Sequence, residues 1–144
     1  MSVMLRLLGP GDAHLLDRVA EDAFDEPVDP LRLRAYLAEP GHLLLLALDG
    51  GLVVGQCAAV VHRHPDKAAE LYVDEVGVTP SHRRRGIARL MMGEMLAGGR
   101  RRGCEEAWLG TEAHNGAARA LYAGLGGEPP ETFVLYAFDL REEP

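Results

Sequence analysis

Three places in the chain carry side chains whose types and spacing suit chemistry. The run Val76-Gly-Val-Thr-Pro-Ser-His-Arg-Arg-Arg-Gly-Ile-Ala88 leads from an apolar strand through a proline turn into an arginine–glycine loop that opens a helix. A helix start presents unpaired N–H groups and a partial positive charge, which suits a phosphate. Gly86 lets the backbone approach an anion, Ala88 keeps that approach unobstructed, and Arg83, Arg84 and Arg85 add formal charge. No Gly-Lys-Ser/Thr follows and the glycines are not spaced GxGxxG, so neither a P-loop nor a dinucleotide fingerprint is present. The second place is Glu75, an acid in an otherwise apolar strand. It is either a proton acceptor or an edge position paired with an arginine. The third is Tyr122, which periodicity alone makes a buried aromatic on the apolar face of a helix.

Other reactive side chains read more plainly. Of the six histidines only His62 and His64 share a strand face, and no third ligand lies nearby in sequence, so no metal is expected. Cys104 starts a strand and nothing marks it as a nucleophile. Arg100, Arg101 and Arg102 close a helix, where cations suit the dipole.

The elements that must position these residues follow from pattern. Met1–Leu8 is a weak strand, and Asp12 is expected to cap a helix reaching about Phe24. Asp29-Pro30 starts a second helix through Leu33, Tyr36 and Leu37, stopped by Pro40-Gly41. His42–Leu48 and Leu52–Val61 are strands joined by the tight turn Asp49-Gly50-Gly51. Leu71–Val78 is a strand. Gly86 to about Gly98 is a helix turning Ile87, Leu90, Met91 and Met95 inward. Glu105–Thr111 is a strand, Asn115–Leu125 a helix ended by Gly126-Gly127, and Thr132–Leu140 a last strand. Early hairpins and late β-α-β crossovers predict an α/β fold with a mixed sheet carrying helices on its faces.

Composition narrows the function classes. With 144 residues the chain is expected to be one domain, residues 1–144. Two cysteines make no disulfide framework and point to a reducing, cytoplasmic setting. No apolar run is long enough to span a membrane, and the N-terminus lacks signal-peptide features. The net charge is −7, yet residues 83–102 hold seven arginines against Glu94, a local +6 that leaves −13 elsewhere. One basic pole on an acidic protein excludes general nucleic-acid binding and fits an anionic ligand at the pole with a cationic partner elsewhere.

Two motifs together carry a resemblance. Arg83-x-x-Gly86-x-Ala88 after Val78-Thr-Pro80, followed by Asn115-x-x-Ala118-x-x-Leu121-Tyr122-x-x-x-Gly126, resembles the GCN5-related N-acetyltransferase (GNAT) superfamily in order and spacing, from about Leu5 to Leu140. Within it, Glu70-Leu-Tyr-Val-Asp-Glu-Val-Gly-Val through Ala88, and Val53-Val54-Gly55 with Ala58-Ala59, look like short-type aminoglycoside 3-N-acetyltransferases. Asp74, Glu75 and Arg85 stand where that subfamily has Tyr, Asp and Gln.

The resemblance implies a twisted, mostly antiparallel sheet of six to seven strands, splayed at the fourth and fifth and flanked by about four helices. It implies acetyl-coenzyme A as donor and no metal. The pyrophosphate would lie on backbone N–H groups of Arg84, Arg85, Gly86, Ile87 and Ala88, with Arg83 beside it. The pantetheine arm would pair with Val76, Gly77 and Val78, and Asn115 and Tyr122 would contact it. Glu75 is the expected base, the Val76 N–H the oxyanion donor and Tyr122 the acid for the leaving thiolate. Asp74 points away from Glu75 in a regular strand, a parity that a bulge would break. Asp25, Glu26, Asp29, Asp74, Glu75 and Glu112, with Glu128 and Glu131, form an acidic group for a cationic acceptor. The expected acceptor is an aminoglycoside, at its 3-amino group. The alternatives are a peptide or protein amine, a polyamine, or a coenzyme-A sensor without catalysis. Similar enzymes are commonly dimers, which leaves a homodimer open.

Overall fold

A computed structural model describes residues 2–141. The chain divides into two units, Met1–Gly110 and Thr111–Pro144. The first is built on a five-stranded sheet in sequence order: β1 (Met4–Leu7), β2 (His42–Asp49), β3 (Leu52–His62), β4 (Glu70–Val78) and β5 (Glu106–Trp108). The first four pair antiparallel, and β5 joins β4 in parallel over three residues only, Glu70 to Tyr72 against Glu106 to Trp108. This is the expected α/β fold with the splay at the fourth and fifth strands, on five strands rather than six or seven. The described residues contain three α-helices and two 3-10 turns, against the four helices expected.

β2 and β3 are buried along nearly their whole length, which their near-continuous apolar sequence requires of central strands. Helix α1 (Pro30–Ala38) is capped by Asp29, whose carboxylate accepts from the N–H groups of Leu31 and Arg32 at 2.9 and 3.0 Å. It covers one face of the sheet with Leu37, Leu33 and Tyr36 against Leu44, Leu46 and Ala58. Helix α2 (Ile87–Arg101) covers the other face. It buries Ile87, Met91, Met92 and Met95, while Leu90, expected inward, is 57% exposed and Met92 takes the inward place.

The first expected helix is absent. Pro10–Leu16 is a 3-10 turn in which Asp12 sits inside the first turn and accepts from the N–H of Gly9 at 2.8 Å. Beyond it the backbone is recruited by the sheet: Val53 donates to Arg18 and Ala20 to Val53, each at 2.9 Å, so these groups are not available to a helix.

In the second unit α3 (Gly116–Gly124) is capped by Asn115, whose Oδ1 accepts from the Ala118 N–H at 3.1 Å. Its less exposed face is Ala118, Leu121, Tyr122 and Leu125, the predicted stripe. The last expected strand, Thr132–Leu140, has no regular secondary structure. Its alternating pattern requires a ladder partner, and none pairs with it among the described residues.

Candidate active site

The site is organised by one irregularity in β4. Ala58 opposes Glu75 and Ala59 opposes Val73, which leaves Asp74 as an inserted residue without a partner on β3. Its effect is visible at two contacts. Leu71 lies beneath Gly99 of α2, and Val78 opposes Gly55, which packs against Met91 of the same helix. Seven residues apart in a regular strand, Leu71 and Val78 would lie on opposite faces. The bulge puts both on the α2 face and sends Glu75 and Gly77, with their partners Ala58 and Gln56, to the other.

On that other face the segment before α1 crosses β4 closely. A Cβ built on Gly77 would lie 2.5 Å from the carbonyl oxygen of Ala23, and Gln56 Nε2 donates to the same oxygen at 3.3 Å. Two residues on, the carboxyl of Asp25 comes close enough to act on that of Glu75. Burial, then the charge and hydrogen bond of Asp25, then the charge of Asp74 hold the Glu75 carboxyl above its ordinary range. Tyr36, read from sequence only as an apolar-face residue of α1, closes the group. Its hydroxyl donates to the carbonyl of Leu43 at 2.7 Å, and burial followed by the Asp74 charge pushes its ionisation up.

The open edge of β4 is the second component. Thr79 donates to the Val54 carbonyl at 2.8 Å, so alternation turns the N–H and C=O groups of Val76 and Val78 away from β3. β5 stops at the level of Tyr72, whose ring lies 4.3 Å from that of Trp108, and supplies no ladder to Val76 or Val78. Arg83 Nε donates to the Val78 carbonyl at 3.0 Å, so this arginine braces the loop it was expected to arm.

The loop then reaches α2. Arg84 (φ 62°) and Gly86 (φ 78°) are left-handed, and no side chain caps the helix start at Gly86. A Cβ on Gly86 would meet nothing within 4 Å, so the backbone at the helix start is open on that side. Exposed Arg84 and Arg85 flank it. An uncapped start, a left-handed glycine, open space and arginines fit a diphosphate, and the unladdered edge beside them fits an amide-bearing chain.

Of the predicted residues, Asp25, Asp74, Glu75, Val76, Gly77, Val78 and the loop through Ala88 belong to the first unit, and Asp25 and Asp74 both act on Glu75. Glu26 is exposed in the same segment, and Asp29 is engaged as the cap of α1. Glu112, Asn115, Tyr122, Glu128 and Glu131 lie in the second unit, where Asn115 Oδ1 serves the cap of α3. His64 Nε2 lies 3.0 Å from Glu70, and among the described residues no three His, Cys, Asp or Glu side chains converge on a metal position.

Residues 13–126 match the acetyltransferase (GNAT) family. The chain belongs to that family. It is 32% identical over 113 residues to N-acetyltransferase family 8 member 3 of Mus musculus, covering 77% of this chain and 50% of that protein. It is 26% identical over 132 residues to aminoglycoside N(6')-acetyltransferase type 1 of Salmonella typhimurium, covering 88% and 80%. The chain therefore spans about half the length of the mouse relatives it matches. Among solved structures, an aminoglycoside acetyltransferase from an uncultured soil metagenomic sample superposes with a TM-score of 0.79 at 24% identity, over 96% of this chain and 100% of that one. The AAC(6')-Iy complex with the bisubstrate analog CoA-S-monomethyl-acetylneamine gives 0.79 at 19% identity, over 96% and 99%. These likenesses establish the GNAT fold.

Proposed function

We propose that this GNAT protein is an acetyl-CoA-dependent N-acetyltransferase, a single domain acting on an amine of a cationic small molecule, with an aminoglycoside as acceptor. One observation carries the reading. The bulge at Asp74 holds the Glu75 carboxyl against Asp25 on the strand whose unladdered edge runs into the uncapped start of α2. Base, donor edge and anion cradle thus follow one another along residues 74–88.

The coenzyme supplies an activated acetyl group on sulfur. The chain's residues do the rest. First-turn N–H groups of Ile87 and Ala88 with Arg84 and Arg85 hold the diphosphate, and Val76 and Val78 pair with the pantetheine arm. Glu75, whose proton affinity is raised by burial and by its acidic neighbours, takes a proton from the acceptor ammonium. The free amine attacks the acetyl carbon, a C–N bond forms as the C–S bond breaks, and the Val76 N–H holds the oxygen that gains charge. Tyr122 is the proton donor to the departing thiolate, a role that rests on the Asn115 to Gly126 motif. Asp25 and Asp74 with Glu75 give the acceptor an anionic seat, supported by Glu26. Asp29 is left out because its oxygens cap α1.

The aminoglycoside reading is supported by the relative named for N(6') acetylation. The sequence motif looks like 3-N enzymes, so the two amino positions are the competing products. Thiol release from acetyl-CoA with gentamicin-type drugs, a peptide or spermidine tests the acceptor, and NMR of the product reads the position. Release with peptide but not with any aminoglycoside overturns the reading, and no release with any amine leaves a coenzyme sensor.

A further inference from the structure

The loop before α2 is held by a contact that the proposed chemistry does not use. His82 Nε2 lies 2.7 Å from Asp49 Oδ2, and His82 Nδ1 lies 2.7 Å from Ser81 Oγ. A neutral imidazole satisfies the whole chain: Nε2–H donates to the carboxylate and Nδ1 accepts the serine proton. Asp49 ends β2, and the next residues, Gly50 and Gly51, are both left-handed, so the anchor is a tight hairpin turn rather than a floating loop. On the other side of His82 come three adjacent arginines, whose charges repel, and Arg84, held at φ 62° where a branched-off Cβ is disfavoured. Arg83 braces the segment on the Val78 carbonyl, and a contact that fixes the residue before it adds to that hold.

We propose that His82 is a positioning residue, clamped between Ser81 and the Asp49 turn, that sets the 83–88 loop in its anion-binding shape before the coenzyme arrives. The proposal rests on the coenzyme reading of that loop and adds to it how the loop is preorganised. Ordering three arginines and a left-handed backbone on binding would otherwise be charged against affinity. Other supports act nearer the strand: Thr79 is buried and bonded to Val54, and His82 N–H donates to Thr79 at 3.0 Å. They tie the start of the turn to β3, and the His82 side chain adds a tie further along, to the end of β2.

The test uses His82→Ala, His82→Gln and Asp49→Ala. Glutamine places its Nε2 near the imidazole Nε2 and keeps a donor for Asp49. Hydrogen exchange of the ligand-free protein should quicken at the amides of 83–88 in H82A and D49A, with the β2–β3 ladder unchanged, and return toward wild type in H82Q. By calorimetry, coenzyme A should bind about tenfold more weakly to H82A and D49A, the scale of losing one charge-assisted hydrogen bond. The acceptor KM should stay in place. Unchanged exchange at 83–88 in H82A overturns the clamp whether or not coenzyme A binds. Faster exchange at 83–88 in H82A, found together with a wild-type protein that binds no coenzyme A, supports the clamp and overturns the coenzyme reading instead.

Discussion

Asp25 and Glu75 stand as neighbouring acids, and burial followed by the Asp25 carboxyl holds the Glu75 proton affinity above its ordinary range. The folded state therefore holds the Glu75 proton more tightly than the unfolded chain does, for which 4.5 is the ordinary value. Glu75 contributes stability that is complete below that value and is lost as pH rises through its raised folded value.

Asp25→Asn removes the like charge and should move the acid limb of kcat/KM to lower pH, because Glu75 then ionises earlier. Glu75→Gln should lower kcat by about 10²–10³ near neutral pH, within the usual span of general-base effects. Thiol release followed across pH checks both. An acid limb that stays put in D25N would separate the pair from catalysis. Urea titrations should also show D25N losing less stability than wild type on going from acid to neutral pH.

Gly77→Ala drives a methyl to 2.5 Å from a backbone oxygen, which cannot swing aside as a side chain would. A loss of about 1–3 kcal/mol is expected, with a weaker acceptor KM because the 23–25 segment must shift. Gly93→Ala is the control. It lies within α2 with nothing within 4 Å of the added methyl, and should gain about 0.5–1 kcal/mol. Denaturant midpoints read both.

Gly86→Ala meets no atom, so its cost is backbone alone, about 1–2 kcal/mol for a left-handed alanine. Coenzyme affinity should fall along with the melting temperature, since the relaxed loop no longer presents the helix start. A variant that melts early yet binds coenzyme A at wild-type strength would place the anion elsewhere.

Cys57 is fully buried, and burial pushes its thiol up to about 12. Cys104 is only partly covered, and its rise, also from burial, is opposed by Arg63 and Arg102. Alkylation of the native protein should therefore modify Cys104 first and leave Cys57 until unfolding, as mass spectrometry of a timed iodoacetamide reaction would show.

Much of this was legible in sequence because the signals are local. Asp29-Pro30 wrote the start of α1, Asp49-Gly50-Gly51 wrote the hairpin, and the Ala118–Leu121–Tyr122–Leu125 stripe wrote α3. The failures are all nonlocal. Residues 17–20 look helical, but their backbone groups are taken by Val53. Leu90 and Met92 are both apolar, and only the packing of α2 on β3 and β4 decides which is buried. The acidic group was visible as composition, whereas the pairing of Asp25 with Glu75 depends on a crossing permitted by Gly77. Asp29 carried its own explanation as a helix cap and did not need a ligand. The clamp on His82 left a trace only in hindsight of the fold, because Asp49 reads in sequence as a turn residue.

The inserted Asp74 sets the phase of its strand. Upstream of it, odd-numbered side chains feed the α2 core; downstream, even-numbered ones do. Paired regularly, with Asp74 taken into the ladder, the same letters would aim Glu75 at the methionines of α2 and Val76 at the segment around Ala23. The strand thus works as two half-strands, one serving the core and one the chemistry, joined at a residue that the ladder leaves out.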